Sequence, residues 1–136
     1  MAIPDINVWV ALAAEHTHRD VALNWWRQYE GSVGFCRLTQ MGMLRLLTTS
    51  ATMNGKPLAM RQAWKVYDSF MRDDRVEFLS EPSAMESIFR QHSSGKFASP
   101  KLWGDAYLIA FATESNGELV TFDLALARRS PAVLLS

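Results

Sequence analysis

Three aspartates stand where an apolar run meets the segment that follows it. They are Asp5 in Ile3-Pro4-Asp5-Ile6-Asn7, Asp105 in Trp103-Gly104-Asp105-Ala106-Tyr107, and Asp123 in Val120-Thr121-Phe122-Asp123. In an α/β protein such junctions are where strands end and helices begin, and parallel strands gather those ends on one edge of the sheet. Three carboxylates gathered there repel one another unless a cation sits among them. Hard oxygen ligands suit Mg²⁺ or Mn²⁺. An ion of that kind can generate hydroxide from water and neutralise charge on a phosphodiester. The pattern points to metal-dependent nuclease chemistry. Taken singly, Asp105 reads equally well as a helix-start residue favoured by the helix dipole. Asp123 alone reads equally well as a turn residue. The three in one pattern favour a shared site.

The elements that must place these residues follow from periodicity and turn signals. Residues 1–4 form a short apolar entry strand that Asp5 ends. Asn7 to Ala14 and Arg19 to Tyr29 carry helical spacing, and Gly31 closes the second helix. Val33 to Cys36 is a short β-prone run bounded by Gly31 and Arg37. Thr39 is the expected N-cap of a helix from Gln40 to Leu47. Asn54-Gly55 marks a turn. A long amphipathic helix is expected over Leu58 to Met71, a strand over Val76 to Leu79, and a helix from Pro82 and Ser83 to about Gln91. After the polar stretch Ser93 to Pro100 comes an apolar helix, Leu102 to Ser115, ended by Asn116-Gly117. Leu119 to Phe122 is the next strand, and Val133 to Leu135 a last edge strand. Helical crossovers between short apolar strands predict a parallel sheet with helices on both faces.

The chain has 136 residues, 49% of them hydrophobic, which fits one domain over residues 1–136 with a full core. The single cysteine, Cys36, excludes an internal disulfide and reads as a buried strand thiol. No signal peptide is evident at the N-terminus, and no apolar run approaches ~20 residues, so a cytoplasmic protein without a membrane span is expected. The formal net charge is zero, which argues against an RNA-coating protein with a broad basic face. It leaves room for a nuclease whose acidic site offsets basic residues elsewhere. Arg37, Arg45, Lys96, Lys101, Arg128 and Arg129 all lie near the segments that matter, although each taken alone reads first as solvated surface.

With Pro4-Asp5-Ile6-Asn7-Val8-Trp9, Ser99-Pro100-Lys101-Leu102-Trp103-Gly104-Asp105-Ala106-Tyr107 and Val120-Thr121-Phe122-Asp123 in this order and spacing, the chain resembles the PIN-domain ribonucleases. Within them it is most similar to the VapC-type toxins of bacterial toxin–antitoxin pairs. The resemblance covers nearly the whole chain. It implies a three-layer α/β/α PIN-like fold with a short parallel sheet flanked by helices. It implies endonucleolytic cleavage of RNA with Mg²⁺ or Mn²⁺ and a small VapB-like antitoxin that blocks the site; a homodimer is expected as well. Carried over, Asp5, Asp105 and Asp123 match the metal-binding catalytic acids. Asn7 matches the polar residue that orients the first acid or its water, and Thr121 the hydroxyl that supports the last acid. Arg45, Lys101 and Arg128 are the basic side chains expected to grip RNA.

One departure stands out. The family usually carries a glutamate in the helix after the second strand, where this chain reads Thr39-Gln40-Met41-Gly42-Met43-Leu44-Arg45. Gln40 or Gly42 takes its place, and Gln40 could offer a carbonyl oxygen without the charge. Glu81, Asp73 and Asp74 are substitutes only by exclusion. Two other readings compete. One is a PIN-like module with a weakened site that binds RNA or a partner. The other is a phosphatase of the haloacid-dehalogenase type, which needs an aspartate where Asn7 stands.

His16 and His18, two apart, would sit on different faces of a helix and make a poor metal pair, so loop or helix-entry packing is the expected role. His92 reads as surface. Trp25, Trp26, Trp64 and Trp103 read first as core or interface rather than base-stacking residues. The apolar surplus of the early helices, Trp9 included, could serve a dimer face or an antitoxin groove.

Overall fold

A computed structural model describes all 136 residues. In chain order the elements are β1 (Ala2–Pro4), α1 (Ile6–Ala13), α2 (Arg19–Gln28), β2 (Val33–Phe35), α3 (Arg37–Leu47), α4 (Met60–Met71), β3 (Val76–Phe78), α5 (Glu86–His92), α6 (Leu102–Glu114), β4 (Glu118–Thr121), α7 (Leu124–Arg129) and β5 (Ala132–Leu134). The strands form one parallel sheet in the order β3-β2-β1-β4-β5. From β1 the chain steps outward through β2 to β3, then returns to lay β4 on the other side of β1. That reversal creates a switch point between β1 and β4, and open α/β sheets bind their ligands at the carboxyl ends of strands at such a point.

Helices cover both faces, which is why the strands read as nearly unbroken apolar runs. Successive strand residues point to opposite faces, and the core divides accordingly. Ala2, Val33, Phe35, Val76 and Val120 join Val8, Trp9, Met43, Leu47 and Tyr67 in a cluster under α1 to α4. Ile3, Cys36 and Leu119 join Leu108, Ile109, Phe111 and Leu126 in a second cluster under α5 to α7. The result is the expected three-layer α/β/α arrangement.

Three expectations are corrected. Helix α3 begins at Arg37, three residues before the expected start, and Cys36 is its N-cap. Thr39 lies inside the first turn, its hydroxyl accepting from the Cys36 N–H at 3.0 Å and donating to the Cys36 carbonyl at 3.1 Å. This is half of a capping box built from the N3 side. A helix over Leu124–Arg129, unforeseen in the sequence, follows β4 with Asp123 as its N-cap. Trp9 is fully buried, its ring stacked on Phe35 with centroids 3.7 Å apart, and offers no partner surface. The exposed large apolar side chains of α3 and α4 are Met41, Met60 and Trp64. No helix is long and apolar enough to cross a membrane.

Helices α1 and α3 approach closely at Gly42. A Cβ there would lie 2.3 Å from Cδ1 and 2.6 Å from Cγ1 of Ile6. The stretch from Thr39 to Arg45, which carries no acid, is thus packed against α1 at Gly42.

Candidate active site

Asp5 follows β1 and Asp123 lies just past β4, neighbours in the sheet whose register pairs Pro4 with Val120. The Asp5 N–H donates to the Val120 carbonyl at 2.9 Å, which locks the end of β1 onto β4. Two carboxylates therefore leave the same sheet edge one strand apart. Asp105 comes from the opening turn of α6, and all three line one open cleft of about 610 Å³. Asn7, Arg45, Lys101, His16, His18 and Phe122 share its lining.

The three acids are held differently. Asp5 is buried and serves two structural partners: Oδ1 accepts from the Val8 N–H at 3.1 Å, capping α1, and Oδ2 accepts from the Thr121 hydroxyl. Asp123 Oδ1 caps α7 by accepting from the N–H groups of Ala125 and Leu126 at 2.8 and 3.2 Å. Its Oδ2 is free. Asp105 caps nothing: α6 has no side-chain cap, and Lys101 occupies the N-cap position. The dipole reading of Asp105 thus has no hydrogen bond behind it, whereas the structural reading of Asp123 is realised alongside its place in the cleft.

Electrostatics ties the trio together. Burial pushes the Asp5 carboxyl above the ordinary carboxylate range, against the pull of Thr121 and the backbone N–H groups of Val8 and Asn7, and the charge of Asp123 adds to the rise. Burial also raises Asp105, again with help from the charge of Asp123 and against that of Arg129. Neither ion pair in the protein involves any of the three acids. A carboxylate has about four lone-pair sites on two oxygens, so even Asp5 keeps acceptor capacity beyond its two bonds. Mutually repelling, unpaired carboxylates with spare lone pairs fit a hard divalent cation. No trio of acidic, histidine or cysteine side chains is already closed to coordination distance.

The other expected residues divide. Asn7 is exposed in the cleft with no side-chain hydrogen bond. Thr121 is fully buried, and its hydroxyl supports the first acid rather than the last, meeting Asp123 only through that residue's N–H at 2.9 Å. Arg45 and Lys101 reach the cleft, while Arg128, exposed at the end of α7, is not among its lining. Gln40 is buried and does not line the cleft; its Oε1 accepts from Arg37 at 2.6 Å. Asp73 is ion-paired with Arg75 at 2.8 Å before β3, at the wrong end of the sheet, and Asp74 lies beside it. Glu81 accepts from the Tyr107 hydroxyl at 2.9 Å. None of these supplies a fourth acid to the cleft. His16, His18 and Phe122 also line the cleft, although nothing in their spacing marks them as members of the site.

Comparison with known proteins gives a consistent answer. The model of the PIN domain family matches residues 2–130. The chain is 38% identical over 135 residues to Ribonuclease VapC41 of Mycobacterium tuberculosis, an alignment covering 94% of this chain and 92% of that protein. The crystal structure of Mycobacterium tuberculosis VapC20, a sarcin-ricin loop cleaving toxin, superposes with a TM-score of 0.71 at 12% identity and full coverage of both chains. The structure of VapBC2 from Rickettsia felis, bound to a promoter DNA fragment, superposes with a TM-score of 0.60 at 13% identity, covering 99% of this chain and 98% of that one. At these identities the structural likenesses speak for the fold.

Proposed function

Because this chain belongs to the PIN-domain family, we propose that it is a metal-dependent endoribonuclease toxin of the VapC type, silenced by a cognate VapB-like antitoxin. We read residues 1–136 as one PIN domain. The observation that carries the catalytic reading is the meeting of Asp5, Asp105 and Asp123, from three separate chain segments, in one open cleft without a cationic side chain paired to any of them. The name of the curated relative, a ribonuclease, supports the reaction. The name of the VapBC2 pair supports an antitoxin partner.

Asp5, Asp105 and Asp123 would hold Mg²⁺ or Mn²⁺. When bound, such an ion supplies Lewis acidity toward a phosphodiester and acidifies water, so hydrolysis needs no histidine base. Thr121 fixes the rotamer of Asp5, and the α7 cap fixes that of Asp123, so two of the three ligands are preorganised. Asn7 presents its amide to the cleft, placed to hold water or a phosphate oxygen. Arg45 and Lys101 supply positive charge for the RNA backbone, and unpaired RNA fits an open cleft better than a duplex. With three acids and no fourth, one ion is the expected occupancy. The exposed Met41, Met60 and Trp64 offer apolar surface to the antitoxin or to a second copy of the chain. Family membership removes the phosphatase reading.

Purified, antitoxin-free protein tests the proposal against total RNA with Mn²⁺ or Mg²⁺. Discrete fragments are expected, lost with EDTA and in Asp5→Asn protein that still melts cooperatively. Intact RNA from folded, metal-supplied protein would support the weakened binding module instead.

A further inference from the structure

His16 and His18 sit between α1 and α2 and take no part in the chemistry assigned above. Their loop is fastened. Arg19 Nη1 donates to the carbonyls of Ala11, Leu12 and Ala14 at 3.1, 3.0 and 3.1 Å, tying down the last turn of α1 and the chain leaving it. The His18 N–H donates to His16 Nδ1 at 3.0 Å. That nitrogen is therefore an acceptor, and the ring proton belongs on Nε2, which remains a donor.

The two imidazoles lie nearly parallel to Phe122. His18 stacks on it with centroids 4.5 Å apart and 23° between planes, and His16 lies 6.2 Å away at 20°. Phe122 is half-buried and packs against the core, and it immediately precedes Asp123. His18 is exposed, so solvent reaches it within the cleft. Core packing holds Phe122, and His18, the exposed N-cap residue of α2 with no side-chain cap bond, stacks upon it. Arg45 and Lys101 belong to the same lining. Basic groups for the backbone and flat rings for the bases are the combination by which proteins hold single-stranded nucleic acid.

We propose that His18, stacked on Phe122 and flanked by His16, is a platform for one unpaired nucleobase beside the scissile phosphate, with His16 Nε2–H as a donor to that nucleotide. The α1–α2 loop then helps decide which RNA positions are cut. This rests on the nuclease reading above and adds a positioning role to it.

The test uses short single-stranded RNAs carrying 2-aminopurine at successive positions, titrated with Asp105→Asn protein so that binding is observed without cleavage. Quenching is expected at one position. It should persist in His18→Phe and be lost in His18→Ala, with affinity reduced about 5- to 100-fold. In cleavage assays of the otherwise unaltered chain, His18→Ala should raise KM more than it lowers kcat and change the distribution of cut sites. Equal quenching, KM and cut sites in the native protein and His18→Ala would overturn the platform while leaving the nuclease reading in place. Failure of the native protein to cut RNA would overturn both.

Discussion

The Thr121 hydroxyl donates to Asp5 Oδ2 while accepting from the Asp123 N–H at 2.9 Å, so one buried side chain couples the ends of two neighbouring strands to the first acid of the cleft. Thr121→Val keeps the shape and removes the hydroxyl. It should cost about 1.5–3 kcal/mol, the worth of a hydrogen bond to a charged group. RNA cleavage and Mn²⁺ affinity should fall about 10- to 100-fold, as when an outer-sphere partner of a metal ligand is lost. Thr121→Ser should restore most of both. Urea denaturation and cleavage rates on the same preparations check this, and full activity in Thr121→Val would dissociate the hydroxyl from the site.

Burial and the neighbouring Asp123 raise the Asp5 carboxyl above 3.8. Between 3.8 and the higher folded value, the native state binds more protons than the unfolded chain. Stability from this group is therefore fully present below pH 3.8 and is lost as pH rises through the folded value. The stability difference between the native protein and Asp5→Asn, measured in EDTA, should shrink as pH rises and then level off. Taking the difference cancels the opposite contribution of Asp73, whose carboxyl Arg75 holds below its ordinary range. A difference that grows with pH would show that the hydrogen bonds from Thr121 and the backbone outweigh burial.

Gly42 faces Ile6, a β-branched side chain with little freedom at χ1, and a Cβ there would meet three of its carbons within 3.1 Å. Gly42→Glu should therefore fail to restore a fourth acid and should destabilise by about 1–3 kcal/mol through overpacking. Adding Ile6→Ala should recover part of that loss, giving a non-additive double-mutant cycle in urea denaturation. Additive effects would mean that position 42 is open.

The parallel sheet, the two helical layers and the three strand- or helix-end aspartates were legible because both strand faces are buried and because Asp5 and Asp123 stand at the ends of adjacent strands. Helix α7 was not, since six residues are too few to show a helical period. The start of α3 was misplaced because Thr39 has the chemistry of an N-cap but works from the third helical position, answering Cys36. Gln40 offered itself as a ligand only because it stands where the family usually carries a glutamate; the fold shows Arg37 donating to its carbonyl oxygen. His16 and His18 were expected to pack in the loop or helix entry between α1 and α2, and they do; their stacking on Phe122 was not legible, because the course of that loop depends on Arg19 closing over α1. Contacts of that kind join side chain to backbone across a turn and leave no periodic trace.

Asp105 offers the cleanest test of the shared site. Asp5 and Asp123 both cap helices, so changing either disturbs structure as well as chemistry, whereas the Asp105 carboxylate accepts no hydrogen bond from the protein and its charge is disfavoured where it sits. The measurement is the rate of RNA cleavage by Asp105→Asn beside the native protein in Mn²⁺, with a melting curve for each. Cleavage by Asp105→Asn is expected to fall by about 100-fold or more, beyond what loss of an outer-sphere partner brings, at an unchanged or slightly higher melting temperature. Native-level cleavage by a folded Asp105→Asn protein would contradict the shared site, because the three aspartates would then not act as one site.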